Sequence, residues 1–390
     1  MRLFVSAGEP SGDLHGANLI RALRAKDPSL QVMAFGGNHM AAEGANLIAH
    51  CDSMEAMGLG AVLTRLPQFI SWVSEARRQM RKWRPDAVVL IDFPGFNWWI
   101  AAKAKELGIP VIFFVPPQIW AWASWRVSKM RRLVDRVLCN FPFEESWYKA
   151  RGVNARLVGH PYFDELNQRI LRNDHLQKLA NGPGRMIAIL PGSRKQELEY
   201  NGKSLLKAAA NIHSAYPDVR FEVACLRPGH AQKMAEMGRS LQLPHTMQIR
   251  FQVDSTPEII SQAWACMAVS GSVSLELLHQ AIPTQIIYRS SRPLILFART
   301  MKTCKYISLP NLLADEELFP EMVEYREVAD DLACRMGEWL LTKDNLEPLR
   351  KRLRSTWTGV FRPGACNRAS DEILDLVACR TPKPASWDAG

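Results

Sequence analysis

Short motifs that mark metal, redox and dinucleotide sites are missing from this chain of 390 residues. Its eight cysteines form no C-x-x-C pair, and the sequence contains neither H-E-x-x-H nor a D-x-D triplet. It also contains no G-x-G-x-x-G sequence. We therefore expect no bound metal and no other cofactor, and we expect neither zinc nor NAD chemistry.

Signals for secretion or membrane insertion are also missing. The sequence opens with a strand and a turn instead of a charged leader with a long apolar segment, and its cysteines are scattered. Residues 109–125 carry no charge, but Pro116 and Pro117 would break a spanning helix, which needs ~20 apolar residues. These features predict a cytoplasmic protein with reduced thiols and no spanning segment.

An excess of positive charge is present instead. The sequence has 49 lysine and arginine residues and 39 acidic residues, which gives a formal net charge of +10. This charge favours an anionic partner, which could be a nucleotide, a phosphorylated substrate, nucleic acid or anionic lipid. Charge alone does not distinguish among these partners.

Short apolar runs alternate with amphipathic segments along most of the chain. The runs predict strands at residues 3–6, 32–35, 87–91, 111–115, 136–139, 186–190, 220–224, 247–251, 266–269 and 284–288. Amphipathic segments such as 13–26 and 66–83 predict helices between them. This alternation predicts an α/β protein with parallel, doubly wound sheets.

The alternation weakens at residues 166–184, which are polar and end in NGPG. We therefore expect two Rossmann-like domains, at residues 1–165 and 185–360, joined by this linker. Residues 361–380 are predicted to form a helix that packs back toward the first domain. The last residues, 381–390, are predicted to be a tail.

Loops that follow strands are the candidate sites, because ligands bind at the carboxyl ends of parallel strands. Residues 7–16 (AGEPSGDLHG) lead into a helix whose first amides would suit an anion, although the local pattern alone favours an ordinary strand–helix turn. Asp92 follows the run at 87–91 and lies among Phe93, Phe96 and Trp98. It is either a general base, favoured by desolvation, or a carboxylate that caps the turn.

Two loops of the second domain have the residue types that bind phosphate groups. Gly192 and Ser193 leave backbone N–H groups open, and Arg194 can reach a diphosphate with its fork of donors. The alternative is a surface arginine after a turn.

The second of these loops contains Ser270, Gly271 and Ser272, which let a phosphate approach the backbone. Glu276, about one turn into the following helix, would accept hydrogen bonds from ribose hydroxyls, or is simply a solvated glutamate. Asn311, in a loop at 308–311, adds an amide donor and acceptor.

Taken together and in order, these segments closely resemble the lipid-A-disaccharide synthase family. The matching stretches are AGEPSGDLHGA, IDFPGFN, PPQIWAW, FPFEESWY, VGHP, LPGSR, SGSVSLE, YISLPNLLA and PGACNRAS. The resemblance implies a GT-B glycosyltransferase with two Rossmann-like domains facing a cleft. It implies inverting transfer of 2,3-diacylglucosamine from its UDP form to 2,3-diacylglucosamine 1-phosphate, which yields the β-1,6 lipid A disaccharide 1-phosphate and UDP.

The resemblance also assigns roles to the candidate residues. Asp92 would take the proton from the acceptor's 6-hydroxyl, and Arg194 would stabilise charge on the departing UDP. The predicted donor-binding residues are Gly192, Ser193, Arg194, Ser270, Gly271, Ser272, Glu276 and Asn311. The predicted acceptor-binding residues are Glu9, Ser11, Gly12, Asp13 and Asn97.

Two positions depart from the family pattern. Gly95 replaces a second aspartate that often follows in the turn, which leaves Asp92 as its only acid. Glu324 stands where the family typically has a glutamine, and a carboxylate there would repel a diphosphate. A donor contact is therefore not expected at Glu324.

Two other functions fit parts of the sequence. A UDP-N-acetylglucosamine 2-epimerase would share the two-domain fold and act without a lipid acceptor. A basic membrane- or nucleic-acid-binding module would show no catalysis. We expect no nucleic-acid partner, and the sequence does not indicate an oligomeric state.

A predicted helix within residues 62–84 has apolar and aromatic residues near several arginines. Phe69, Trp72 and Val73 would lie in an anionic membrane surface at the inner face of the cytoplasmic membrane, where the protein would be peripheral. The alternative is a helix that turns the same residues toward the core of the first domain.

Overall fold

The computed structural model describes residues 1–51, 66–301, 304–341 and 346–379. The chain forms two compact units: unit 1 is residues 1–168 together with the segment that begins at Arg362, and unit 2 is Arg169–Phe361. Each unit contains one parallel sheet with helices between successive strands. The predicted α/β class with two Rossmann-like domains is therefore confirmed.

Unit 1 is built on a seven-stranded sheet. Its strands are β1 (Arg2–Ala7), β2 (Gln31–Gly36), β3 (Asn46–His50), β4 (Ala87–Ile91), β5 (Val111–Phe114), β6 (Arg136–Cys139) and β7 (Ala155–Leu157). Its helices are α1 (Pro10–Lys26), α2 (Asn38–Ala42), α3 (Leu66–Trp83), α4 (Pro94–Glu106), α5 (Ile119–Trp122), α6 (Val127–Leu133), α7 (Pro142–Lys149), α8 (Pro161–Gln168) and, in the C-terminal segment, α18 (Ala365–Ala378). The strand order is β3-β2-β1-β4-β5-β6-β7.

Alternate residues of the central strands enter two apolar layers, one on each face of this sheet. Phe4 and Leu90 pack with residues of α3, α4 and α6, whereas Val5 and Val89 pack with residues of α1 and α18. β4 is buried along its whole length because both faces are covered. Successive side chains of one strand therefore pack into two different apolar cores, one on each face of the sheet.

Unit 2 is built on a six-stranded sheet with the order β10-β9-β8-β11-β12-β13. Its strands are β8 (Met186–Leu190), β9 (Arg220–Cys225), β10 (Ile249–Val253), β11 (Ala265–Val269), β12 (Thr284–Arg289) and β13 (Glu321–Glu324). Its helices are α9 (Asn173–Ala180), α10 (Lys195–Ala215), α11 (Pro228–Ser240), α12 (Thr256–Gln262), α13 (Val273–His279), α14 (Arg292–Met301), α15 (Leu309–Ala314), α16 (Ala329–Leu341) and α17 (Glu347–Val360).

The segment predicted as a linker is structured. α8 runs to the end of the first segment of unit 1, and α9 lies in unit 2. The Arg172 side chain and amide both bond to the Glu258 carboxylate at 3.0 Å, and His175 lies 3.0 Å from the Ser255 hydroxyl. These polar contacts hold the segment on unit 2, so its polar composition reflects a surface helix instead of a loose connection.

The last described helix, α18, packs on unit 1. The Asp164 carboxylate accepts hydrogen bonds from the amides of Gly364, Ala365 and Cys366 at the start of this helix. A carboxylate at a helix N-terminus satisfies open amides and complements the helix dipole. Lys26 of α1 pairs with Asp371 of α18 at 2.7 Å. The predicted tail, residues 381–390, lies outside the described residues.

Candidate active site

The turn after β4 holds Asp92 in an uncommon backbone conformation. Asp92 and Phe93 have φ values of +44° and +46°, in the left-handed region that few residues other than glycine adopt. Asn97 fixes the turn, because its side-chain amide donates to the carbonyls of Asp92 at 2.7 Å and Ile91 at 3.2 Å. Asp92 itself is half-buried. Strained residues that the surroundings hold in place are typical of functional sites.

Contacts with the turn after β4 explain two small side chains near the start of the chain, those of Gly8 and Ser6. A Cβ at Gly8 would lie 2.1 Å from the ring of Phe93, so only glycine lets that ring cover the turn. Ser6 donates to the Asn97 side chain at 2.6 Å, which ties β1 to the same turn. The AGEPSGD and IDFPGFN stretches therefore form one structural unit.

Most residues predicted to bind the acceptor support the backbone. Asp13 is buried, and its carboxylate accepts hydrogen bonds from the amides of Gly37, His39 and Met40 at 2.7–3.1 Å. It caps α2, and its contact with the acceptor stays a prediction. Asn97 is fully buried, with its polar atoms engaged in the turn, and its acceptor contact likewise stays a prediction.

The remaining residues of the acceptor set lie at the start of α1. Glu9 is half-buried and precedes the helix, Ser11 is exposed, and Gly12 is buried. A Cβ at Gly12 would lie 3.1 Å from that of Ala7, so the glycine brings α1 close to β1. Glu9 and Ser11 are the members of this set whose side chains reach the surface.

A buried glutamate, to which the sequence analysis gave no role, lies after β6. Glu144 accepts hydrogen bonds from the Asn140 and Phe141 amides and, at 3.1 Å, from the indole N–H of Trp120. Complete burial raises the pKa of Glu144 to about 7, although these hydrogen bonds oppose the shift. The FPFEESWY and PPQIWAW stretches thus meet at one hydrogen bond between side chains.

A buried histidine, His160, lies beside this glutamate's helix. Its Nδ1 accepts a hydrogen bond from the Tyr162 amide, and its ring lies 5.5 Å from that of Phe141. Burial, and secondarily the nearby His15, lower the pKa of His160 to about 3. His15 in turn lies 3.0 Å from Glu165. The VGHP stretch contained the signal for this cluster, at the carboxyl end of β7.

In unit 2, the loop after β8 already binds an anion from its own chain. Gly192 has a φ of +103°, and the amides of Ser193 and Arg194 donate to the Glu197 carboxylate at 2.9 and 3.1 Å. Of these two amides, that of Ser193 belongs to the groups predicted to receive a phosphate. The Arg194 side chain is largely exposed, with its guanidinium 3.8 Å from Glu197. The loop has the geometry of an anion site, and Glu197 occupies its amides in this structure.

The loop after β11 is the more open of the two. Gly271 and Ser272 are exposed, and a Cβ at Gly271 would meet no atom within 4 Å. Ser270 holds the loop in place, because its amide donates to the Ile287 carbonyl and its hydroxyl to the Ile307 carbonyl. The backbone at Gly271 and Ser272 is therefore open to solvent.

Two predicted donor contacts are buried in unit 2. Glu276 is buried and pairs with Arg169 at 2.5 Å, so it is not the solvated glutamate that was the alternative. Asn311 is fully buried: its amide donates to Phe319 and Glu321, and its carbonyl oxygen accepts from the Leu318 and Phe319 amides. Asn311 therefore supports its loop from inside, and its contact with the donor stays a prediction.

Glu324, the residue that departs from the family pattern, is paired. Its carboxylate lies 2.9 Å from the guanidinium of Arg299, which belongs to α14. This pairing offsets the negative charge that would otherwise repel a diphosphate.

The helix predicted to contact a membrane turns its large residues inward. Val73 is buried in the core of unit 1, and the half-buried Phe69 packs edge-on against Phe96 with ring centroids 5.4 Å apart. Trp72 is also half-buried against the same core. In the described structure these three residues pack on the core, as the core-facing alternative expects, and their contact with a membrane stays a prediction.

Other apolar side chains of this layer face outward. They are Ile70 of α3, Trp99 of α4, Trp122 of α5 and Trp125 in the following 3₁₀ turn, each roughly half exposed. The helices that present Ile70, Trp99 and Trp122 share one apolar core, on the same face of the sheet. Arg126 lies over the Trp122 ring at 5.3 Å. We call these four residues the aromatic surface.

Metal-ligating groups and spanning helices were sought among the residues that the structure describes. No three or more His, Cys, Asp or Glu side chains are placed there to hold a metal ion. In that same part of the chain, none of the helices has the length and apolar character needed to cross a membrane.

Comparison with known proteins identifies the family. A family model described as lipid-A-disaccharide synthetase matches residues 3–371. A lipid-A-disaccharide synthase from Azoarcus sp. is 35% identical over 392 residues, covering 100% of this chain and 99% of the relative. One from Anaeromyxobacter dehalogenans is 31% identical over 377 residues, covering 96% and 97%.

Solved structures share the fold at lower identity. A putative UDP-N-acetylglucosamine 2-epimerase from Listeria monocytogenes superposes with a TM-score of 0.68 at 13% identity, covering 98% of both chains. The epimerase from Methanocaldococcus jannaschii, in complex with UDP-GlcNAc and UDP, gives 0.64 at 13% identity, covering 96% of this chain and 100% of that one. Because the family model and the relatives extend over nearly the whole sequence, this chain belongs to the lipid-A-disaccharide synthetase family of glycosyltransferases.

Proposed function

We propose that this enzyme transfers 2,3-diacylglucosamine from its UDP form to the 6-hydroxyl of 2,3-diacylglucosamine 1-phosphate. The products are the β-1,6-linked disaccharide 1-phosphate and UDP. Family membership supports this reaction class. The observation that carries the mechanism is the left-handed turn at Asp92, which holds a half-buried carboxylate at the tip of a central strand.

Asp92 acts as the general base. Its carboxylate takes the proton from the acceptor's 6-hydroxyl while that oxygen attacks the anomeric carbon, and the bond from that carbon to the UDP oxygen breaks with inversion. One base is sufficient for a single displacement. Asn97 and Ser6 keep the turn in place, which preorganises the base before the substrate arrives.

Unit 2 binds the nucleotide sugar and stabilises charge on the departing diphosphate. The exposed guanidinium of Arg194 and the open backbone at Gly271 and Ser272 are suited to diphosphate oxygens. A diphosphate that entered the loop after β8 would displace the Glu197 carboxylate from its amides. These groups supply the charge stabilisation that a metal ion supplies in other transferases, so activity in excess EDTA is expected to equal activity without it.

The reaction is tested by incubating the protein with both lipid monosaccharides in detergent micelles and analysing the products by mass spectrometry. Appearance of the disaccharide 1-phosphate and UDP in equal amounts is expected. A parallel incubation with UDP-N-acetylglucosamine and no acceptor tests for epimerase activity. Turnover in that sample, with no disaccharide in the first, would overturn the proposal. Loss of synthesis in EDTA with rescue by magnesium would overturn the metal-free part alone.

We propose that unit 1 meets the bilayer through the aromatic surface, at the inner face of the cytoplasmic membrane. Tryptophan favours membrane interfaces because its ring is apolar and its N–H is polar. Arg126 beside Trp122 adds a cation that anionic headgroups attract. Both proposed substrates have acyl chains, so the enzyme must reach a lipid surface.

Paired double variants test this assignment. Trp99→Ser with Trp122→Ser should weaken binding to anionic vesicles and leave the circular dichroism spectrum unchanged, because both side chains are about half exposed. Phe69→Ser with Trp72→Ser should instead lower the thermal stability of the protein, because these residues pack on the core. Full vesicle binding by the Trp99 and Trp122 variant would exclude the aromatic surface.

A further inference from the structure

An apolar face of α14, in unit 2, lies open to solvent. Leu294, Leu296 and Phe297 are 41%, 45% and 55% exposed, whereas Ile295 between them is fully buried. At 100° per residue, the three exposed side chains cover the arc of the helix opposite Ile295. An exposed apolar face on an amphipathic helix marks an interaction surface.

Cations and one aromatic ring border this face. Arg292 lies over the ring of the exposed Tyr325, 5.5 Å from its centroid. Lys305 is exposed a few residues beyond the helix. Arg299 pairs with Glu324 at 2.9 Å, and the carboxylates of Asp315 and Glu317 lie within electrostatic reach of Lys305. Arg292 is therefore the main cation of this border, and a cation beside an apolar helix face suits anionic lipid.

The position of α14 connects it to the nucleotide site. Ser270 forms hydrogen bonds to the chain on both sides of α14. Its amide donates to the Ile287 carbonyl before the helix, and its hydroxyl donates to the Ile307 carbonyl after it. The segment that contains α14 is therefore tied on both sides to the loop that is proposed to bind the donor.

We propose that α14 is an interfacial helix that seats unit 2 on an anionic phospholipid bilayer, through Leu294, Leu296 and Phe297. This inference rests on the proposed function in one respect: a donor with acyl chains explains why the nucleotide-binding unit has its own lipid contact. Two contacts, one per unit, would let each unit draw its substrate from the bilayer.

The experiment is sedimentation of the full-length protein with vesicles, using no substrate. Vesicles of phosphatidylethanolamine with phosphatidylglycerol are compared with vesicles of phosphatidylcholine alone. Leu294→Ser with Phe297→Ser should lower the partition coefficient on the anionic vesicles by roughly tenfold or more, because two apolar side chains are removed from the lipid contact. Unchanged partitioning with an unchanged circular dichroism spectrum would overturn the proposal.

Leu341→Ser is the matched control. Leu341 is 72% exposed, but it ends α16 near the amino end of β8, where Arg185 donates to the Leu340 carbonyl. The partition coefficient of the Leu341→Ser variant on anionic vesicles should equal that of the wild type. An equal loss in this variant would overturn the assignment, because the effect would then be unspecific.

A second variant keeps the test independent of the apolar substitutions. Arg292→Glu with Lys305→Glu changes surface charges only, and should weaken partitioning on anionic vesicles without affecting phosphatidylcholine vesicles. Unchanged partitioning of this variant on anionic vesicles would contradict the role of these two charges.

Light scattering tests whether the face binds another protein copy instead. If the Leu294 and Phe297 variant changes the oligomeric state while vesicle binding is retained, the proposal is wrong. Disaccharide synthesis by the wild type in micelles is measured separately, so its absence would overturn the proposed function and not the lipid contact.

Discussion

The two units place their polar residues differently at the carboxyl ends of their strands. In unit 1, Asp13, Asn97, Glu144 and His160 are all buried and bond to backbone or side-chain groups of the same unit. Asp92 alone among the candidates of the β4 turn remains half-buried. In unit 2, Glu276 and Asn311 are buried as well, but the side chain of Arg194 and the residues Gly271 and Ser272 are exposed.

This difference indicates a division of labour. The buried polar residues of unit 1 build a rigid support around one carboxylate, whereas the exposed groups of unit 2 are available to a ligand. Substitutions in the support should therefore change stability and its pH dependence, and substitutions of the exposed groups should change ligand binding. The predictions below test this contrast in order of expected size.

The largest effect is expected for Asp92→Asn. Loss of the general base should lower kcat by ~10²–10⁴ while the thermal unfolding curve and UDP affinity stay close to those of the wild type. Asparagine tolerates the left-handed conformation, so the turn should persist. A decrease of less than about threefold would mean that Asp92 is structural, and the contrast between it and its buried neighbours would disappear.

Arg194→Ala should weaken UDP binding by about ten- to a hundredfold, because a charge-assisted contact to phosphate is lost. Arg239→Ala is a suitable control, since Arg239 is exposed in the last turn of α11, away from the strand ends that carry the loops. Isothermal titration with UDP measures both. Equal affinities for the two variants would remove Arg194 from the donor site.

Glu144→Gln should change the pH dependence of stability. The pKa of Glu144 is raised from 4.5 to about 7 in the folded protein, so the folded state holds a proton that the unfolded state releases. Its contribution to stability is complete below pH 4.5 and is lost as the pH rises through about 7. Between these values the wild type should lose stability relative to the variant in denaturant titrations. Parallel pH profiles would show that burial does not control this carboxyl group.

His160→Asn should have an effect of opposite sign, which appears only below pH 6.5. The pKa of His160 falls from 6.5 to about 3 on folding, so only the unfolded state binds a proton between these values. The stability that His160 contributes is present above pH 6.5 and is lost as the pH falls toward 3. Asparagine can still accept from the Tyr162 amide, so acid denaturation of the variant should begin at lower pH. Unchanged acid denaturation would contradict this assignment.

The sequence predicted the central strands of the two described sheets but only one of their four edge strands. β10 was expected at residues 247–251 and lies at Ile249–Val253, whereas the edge strands β3, β7 and β13 were not predicted. Their sequences, NLIAH, ARL and EMVE, are short or contain polar and charged residues, because an edge strand is only partly covered. Central strands such as β4 are apolar throughout, since helices cover both faces.

Site residues were harder to predict than the motifs that contain them. A motif shows that a residue type is required at a position, but not whether its side chain faces a ligand or the backbone. Asp13 and Asn311 have the residue types of ligand contacts, yet each satisfies amides several residues away in sequence. Glu144 and His160 had no assigned role because their partners, Trp120 and Phe141, come from other segments.

The capping of α18 by Asp164 has a consequence for how the protein is made. The two partners are 200 residues apart, and all of unit 2 is translated between them. Until the ribosome has passed residue 378, the side of α1 that later contacts α18 lacks its cover, with Ile20 and Leu23 belonging to that apolar layer. The first segment therefore cannot complete its fold before unit 2 has been translated, and a nascent chain paused after Gln168 exposes an apolar surface.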